Sequence, residues 1–179
     1  MIIKVEEIFD ELFDTIPEYD GNNKLFFGYG EQKELNLYLA QRPKNGDHCY
    51  PLLWYNLPNT LKGNKQYVQG TFEFVLAHNR TYELINDVSF RDIFGRILYP
   101  HFSLVIQALS KAGFMLDIDS DANKYEYTNY PNYGNPPTHE GKDESIVIDI
   151  WDAIKFKVKL NVKGTACDFD KIQYDLINI

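Results

Sequence analysis

The sequence predicts a single α+β domain over residues 1–179, in which an antiparallel sheet packs against an N-terminal helix and a kinked central helix. Residues 154–163 alternate apolar and polar side chains without a break, which is typical of a strand with one buried face. Two segments, near the N-terminus and after residue 87, instead repeat apolar residues at helical spacing. At 179 residues and 44% hydrophobic content, the chain suits one core rather than two.

The first element is an amphipathic N-terminal helix. Its apolar residues recur every three or four positions, and Pro17 is expected to end it. The other face is acidic and carries Glu6, Glu7, Asp10 and Glu11.

The next part of the chain predicts an antiparallel meander. Residues 25–30 form a strand or an extended entry to one, and the alternating residues 35–39 predict a strand. A third strand falls within 50–58, where prolines limit its length, and residues 67–77 predict the central strand. We expect antiparallel connections because each link looks too short for a helical crossover.

The central helix is expected between residues 87 and 113. Asp87 or Ser89 is a candidate N-cap, and Gly113 suits the left-handed position that ends a helix. Pro100 interrupts the pattern, so the sequence predicts either one kinked helix or two short helices in line.

Extended structure is expected again at 114–118, followed by a long polar segment, 119–145. Long segments without a pattern are uncommon in compact domains and are usually functional or disordered. The tyrosines favour an ordered arm that contacts a partner over a disordered loop, because tyrosine combines contact area with a polar group. They are Tyr125, Tyr127, Tyr130 and Tyr133.

The last strand is expected from about residue 146 to 163, with one apolar face and one basic face. The basic face carries Lys155, Lys157, Lys159 and Lys163. Three explanations are open: the lysines protect an exposed edge, they pair with an acidic residue such as Glu73 on a neighbouring strand, or they face an acidic partner. That partner could be the acidic helix of another copy, or DNA.

Composition excludes several classes of protein. The net charge of −8 argues against a general nucleic-acid binder. We expect neither a secretory leader nor a membrane span, because the N-terminus is not basic-then-apolar and the apolar runs are short. Cys49 and Cys167 lie far apart in the chain and are expected to be reduced thiols of a protein made in the cytosol.

No catalytic, cofactor or metal motif stands out, and we expect a protein that is not an enzyme. The run from Asp117 to Asn123 resembles the start of a calcium loop, but Ala122 replaces the turn glycine and Thr128 the bidentate glutamate. Asp149 and Asp152 flank Trp151, yet nothing selects them as an acid/base pair. The four histidines lack zinc-site spacing; they are His48, His78, His101 and His139.

The order of elements resembles the tail-terminator, tail-completion and neck-ring proteins, or head-tail connectors, of tailed bacteriophages. It comprises the acidic helix, a meander containing 50–54 and 71–76, a proline-interrupted helix at 90–100, and the late basic strand. The resemblance spans most of the chain but rests on no invariant residue, so no site can be carried over. It implies a non-enzymatic virion protein that is assembled in the host cytoplasm and forms a ring at the head-tail junction or tail end.

The implied partners are copies of the chain and adjacent portal, neck or tail components, with nucleic-acid contact only within a ring lumen. Ring closure needs two different surfaces on one chain, and the acidic helix and the basic strand have opposite signs. The alternative function is a soluble binding module that holds a small ligand or peptide between aromatic residues such as Trp54, Tyr55 and Tyr67.

Overall fold

The computed structural model describes residues 3–19, 24–41, 50–57, 59–64, 66–80, 86–115, 125–133, 150–164 and 169–175. These residues form a six-stranded mixed sheet with helices packed against it, which confirms the α+β class. The helices are α1 (Val5–Asp14), α2 (Gln32–Gln41), α3 (Asn86–Ser89), a π-helix (Phe90–Leu98), α4 (Tyr99–Lys111) and a 3₁₀ turn (Phe169–Lys171). The strands are β1 (Phe26–Glu31), β2 (Leu52–Leu57), β3 (Lys62–Gly63), β4 (Tyr67–Arg80), β5 (Tyr125–Tyr133) and β6 (Ile150–Lys163).

The strand order is β1-β2-β4-β6-β5, with β3 paired to β4. Strands β4 and β6 are the longest, and they pair antiparallel along their whole length, from Tyr67 opposite Lys163 to Arg80 opposite Ile150. The predicted central and final strands are therefore confirmed. However, β6 lies inside the sheet between β4 and β5 rather than at an edge.

The segment 35–39 was predicted as a strand, and this prediction is wrong. It belongs to α2, in which Leu35 is buried whereas Leu37 is 58% exposed, so residues two apart do not share a face. Helix α2 connects β1 to β2, which pair in parallel. A parallel pair needs a long crossover rather than a hairpin, so the predicted antiparallel meander fails at this pair, although the other pairs are antiparallel.

The predicted central helix is one continuous helical segment that changes its hydrogen-bonding pattern at Pro100. The N–H of Tyr99 donates to the carbonyl of Phe94, five residues back, and α4 begins at Tyr99 with proline in its first turn. Proline is tolerated there because the first turn of a helix needs no N–H donor. Gly113 has φ +71, as expected of a glycine that ends a helix.

Two hydrophobic cores lie on opposite faces of the sheet. Helix α1, the π-helix and α4 cover one face, here called the helix face, where the rings of Phe13, Phe27, Tyr55, Phe72 and Phe74 surround Phe9. On the opposite face, Leu35 and Tyr38 of α2 contribute to a smaller core with Trp54 and Trp151. The rest of that face carries the lysines of β6 and is here called the lysine face.

Part of the segment 119–145 is a strand of the subunit's own sheet. Residues 125–133 form β5, which pairs antiparallel with β6. Proline is compatible with an edge strand, and Pro131 falls within the irregularity between Tyr130 and Tyr133. The rest of the predicted arm, and the predicted strand start at 146–149, lie outside the described residues.

Candidate interaction surfaces

The lysines of β6 form a row on the lysine face, and two of them bind Glu73. Glu73 lies on β4 opposite Lys157. The Nζ of Lys155 is 2.7 Å from the Oε1 of Glu73, and the Nζ of Lys157 is 3.5 Å from its Oε2. Asn56 of β2 also donates its Nδ2 to the Oε1 of Glu73, at 3.0 Å. The cross-strand explanation is therefore confirmed for Lys155 and Lys157.

The charges of this cluster stabilise one another. Burial raises the pKa of Glu73, but hydrogen bonds from Lys155 and Asn56 and the charges of Lys155 and Lys157 outweigh it and leave the pKa below its usual value. Burial lowers the pKa of Lys155, and here too the carboxylate of Glu73 outweighs burial, so that the pKa is raised. Both groups are thus ionised around neutral pH.

Lys159 and Lys163 differ from these two lysines. Both are exposed, and neither forms an ion pair with any residue that the structure describes. Edge protection does not explain Lys155 and Lys157, because β4 and β5 pair with β6 on both sides there. Strand β5 pairs only with residues 151–158, so Lys159 and Lys163 lie beyond it. Lys159 and Lys163 therefore remain as the positive charges that a partner could meet.

A cleft of about 240 Å³ adjoins the lysine row between β5 and β6. Its lining is mainly polar and of mixed charge, with Glu126 of β5 opposite Lys157 and Thr128 opposite Lys155. The full lining consists of Glu126, Thr128, Tyr130, Lys155, Phe156 and Lys157. Such a cleft does not resemble the apolar, aromatic-lined pocket of a ligand-binding module.

The aromatic residues of that alternative do not converge on one cavity. Trp54 belongs to the smaller core and Tyr55 to the larger one, so they point to opposite faces of β2, and both are buried. Tyr67 lies at the start of β4 and is 37% exposed.

The acidic surface of α1 lies across the sheet from the lysine row. Val5, Phe9, Leu12 and Phe13 are buried against the helix face, which confirms the predicted amphipathic helix. Glu7, Asp10 and Glu11 are exposed and Glu6 is half-buried.

Only one of these four carboxylates has a cation beside it in the described part of the chain. Glu7 forms an ion pair with Lys4, whereas no described residue does so with Glu6, Asp10 or Glu11. The acidic surface of α1 and the lysine row therefore lie on opposite sides of the sheet.

The four tyrosines of β5 do not form one surface. On the helix face, the rings of Tyr125 and Tyr127 lie 5.6 and 5.2 Å from that of Phe102. On the lysine face, Tyr130 lines the cleft, and the hydroxyl of Tyr133 donates to Gln32 of α2 at 3.1 Å. Tyr127 is the most exposed of those on the helix face, at 51%.

Sequence reasoning missed a buried polar cluster that joins the sheet to the start of the central helical segment. The carboxylate of Asp152 accepts hydrogen bonds from the hydroxyl of Ser89 and from Arg80, whose Nη1 is 3.4 Å away. Ser89 thus binds the sheet instead of capping a helix. Burial lowers the pKa of His78, which lies opposite Asp152 in the strand register.

A signal for this cluster exists in the sequence. Asp152 precedes Ile154 by two positions, so the alternation of β6 places its side chain on the helix face, inside the protein. Asp149, its suggested acid/base partner, lies outside the described residues.

Among the residues that the structure describes, no group of three or more His, Cys, Asp or Glu side chains could hold a metal ion, and no helix is long and apolar enough to cross a membrane. Several candidate residues of the sequence lie outside the described part of the chain: Cys49, Cys167, His48, His139 and the run 117–123.

Comparison with known proteins finds no matching family model and no matching curated protein.

Proposed function

We propose that this chain is a non-enzymatic structural subunit of a tailed-bacteriophage virion, where it forms a ring at the head-tail junction or tail end. The order of its elements suggests this class of protein. The observation that carries the proposal is the placement of opposite charges on opposite sides of one sheet: carboxylates on α1 and lysines on β6.

This placement suits a component that lies between two different neighbours. A ring built from identical subunits presents one kind of surface on one side and another kind on the other. Oppositely charged sides favour different partners and also reject the wrong one, since like charges repel. The proposed partners are copies of this chain and adjacent portal, neck or tail components.

Ion pairs within the subunit separate the lysines and carboxylates that are already neutralised from those that we assign to the contact with a partner. Glu73 already neutralises part of the lysine row, so Lys159 and Lys163 are the lysines to which we assign the contact. On the other side, Asp10 and Glu11 are exposed carboxylates without an ion pair among the described residues.

Native mass spectrometry at low and high salt tests the proposal. We expect a closed oligomer, formed by the purified protein or on mixing with the neighbouring virion component, and binding to that component should weaken as salt screens the charges. A protein that stays monomeric at every salt concentration and binds no virion component would contradict the proposal.

Substitution of the exposed lysines tests the assigned contact. Lys159→Gln with Lys163→Gln should weaken binding to the neighbouring component at low salt, while the thermal midpoint of the subunit stays unchanged. Lys33→Gln is the matched control, because Lys33 is an exposed lysine on α2 and does not lie beside Lys159 or Lys163 in the sheet. Unchanged binding in the double variant would remove these lysines from the contact.

A further inference from the structure

The outermost strands of the sheet, β1 and β5, lack the basic side chains that often protect an edge. Native proteins commonly place lysine or proline on edge strands, which blocks pairing with another chain. Here neither β1 nor β5 contains a lysine or arginine, and each contains a single glutamate, Glu31 and Glu126. Pro131 is confined to the irregular end of β5, so neither proline nor a basic residue protects residues 125–130.

Both edges expose aromatic side chains on the same face. Tyr29 of β1 is opposite Tyr55 in the register, and Tyr127 of β5 is opposite Phe156, which places both on the helix face. They are 52% and 51% exposed. Each has an aromatic neighbour two residues before it on the same strand and face, Phe27 and Tyr125 respectively.

The strand directions also match. Strand β1 is parallel to β2, and each step from β2 to β4, β6 and β5 is antiparallel, so β1 and β5 run in opposite directions. If the sheet of one copy continues into the sheet of the next, β5 therefore meets β1 in the antiparallel arrangement. Their lengths agree, because β1 has six residues and β5 is regular over 125–130.

We infer that the outer edge of β5 in one copy pairs antiparallel with the outer edge of β1 in a second copy of this chain. Tyr125 and Tyr127 pack against Phe27 and Tyr29 of the neighbour on the helix face, as cross-strand aromatic pairs do within a sheet. In the described part of the chain, no strand pairs with either outer edge.

This inference rests on the proposed ring and specifies its lateral contact. Two different edges make the contact heterologous, which gives a ring when the rotation between successive copies closes. Edge pairing lies in the plane of the sheet, so it covers neither the acidic surface of α1 nor the lysine face.

Cysteine trapping tests the contact directly. In a Cys49→Ser, Cys167→Ser background, cysteines at 27 or 29 are combined with cysteines at 125 or 127, because these four pairings cover the three registers that place one of these residues of β1 directly opposite one of β5. A disulfide needs Cα atoms about 5.5 Å apart, so at least one pairing should oxidise. In a single doubly substituted chain it should give a ladder of covalent oligomers.

Mixing two singly substituted chains provides the control. A chain with a cysteine on β1 and a chain with one on β5 should yield a covalent dimer and nothing larger, since each chain carries a single cysteine. Neither chain should form a disulfide dimer alone. If none of the four pairings oxidises in a preparation that native mass spectrometry shows to be oligomeric, the inference is overturned.

Lysine substitutions give an independent measurement. Tyr29→Lys or Tyr127→Lys should weaken oligomerisation by at least about tenfold at low and high salt, because each removes aromatic contacts and introduces an edge charge. Tyr29→Phe and Tyr127→Phe are the matched controls, because they keep the aromatic contacts and introduce no charge at the edge.

The outcomes separate the two proposals. Rings that persist in both edge variants overturn edge pairing and leave the ring function standing. Failure of the wild-type chain to oligomerise or to bind any virion component overturns the function itself. Cysteines introduced at the edges that cross-link only to a different protein overturn the assignment of a second copy as the occupant.

Discussion

At the scale of single residues, Glu73 neutralises part of the positive charge of strand β6. Its carboxylate is held by Lys155 at 2.7 Å, and Lys157 is more distant and more exposed. We expect Lys155→Met to lower the free energy of unfolding by about 1 kcal/mol at pH 7, and Lys157→Gln to have a smaller effect. Urea denaturation of both variants measures this difference.

A double-mutant cycle with Glu73→Gln supplies the control. If the pair is responsible, the Lys155→Met substitution should cost much less in the Glu73→Gln background. Equal costs in both backgrounds would show that Lys155 acts through packing of its aliphatic chain.

The same pair also predicts a pH dependence. The pKa of Glu73 is lowered from 4.5, so its contribution to stability is fully present above 4.5 and is lost as the pH falls through the lowered value. The stability difference between wild type and Lys155→Met should therefore shrink in acid.

At the scale of elements, the periodicity of apolar residues predicted the helices and strands that bury a single face. Helix α1 and residues 155–163 of β6 each bury one face in the larger core, and their patterns are correspondingly clear. Helix α2 was missed because Leu35 and Leu39, four residues apart, fit a helix as well as the alternation fits a strand. Strand β5 was missed because its tyrosine and asparagine residues and Pro131 resemble a loop.

Phe9 of helix α1 is buried in the larger core, where it contacts five other rings. Phe9→Leu should lower the free energy of unfolding by about 1–2 kcal/mol, because a leucine leaves part of this space unfilled. Glu11→Gln on the exposed side of the same helix should change it by less than about 0.5 kcal/mol. Thermal or urea denaturation compares the two, and an equal effect would contradict the assigned packing.

At the scale of the whole molecule, the arrangement of surfaces depends on topology that the sequence does not display. The sequence identified the acidic helix and the lysine row, and it named Glu73 as one candidate partner. Only the strand order shows that β1 and β5 are the outermost strands of the sheet. The packing of the helices on one face then places the two charged surfaces across the sheet from each other. Patterns along the chain report which face is buried, but they do not report which strands are neighbours.

The two cores should unfold together, since β4 and β6 contribute side chains to both. Trp54 and Trp151 are the chain's two tryptophans, and both lie in the smaller core. Tryptophan fluorescence therefore reports the smaller core, whereas far-UV circular dichroism is dominated by the helices, most of which pack on the larger one. Phe9→Leu, a change confined to the larger core, should shift both transitions by the same amount, because strands shared along their full length couple the two faces. A circular-dichroism transition that moves while the fluorescence transition stays in place would show that the smaller core unfolds independently.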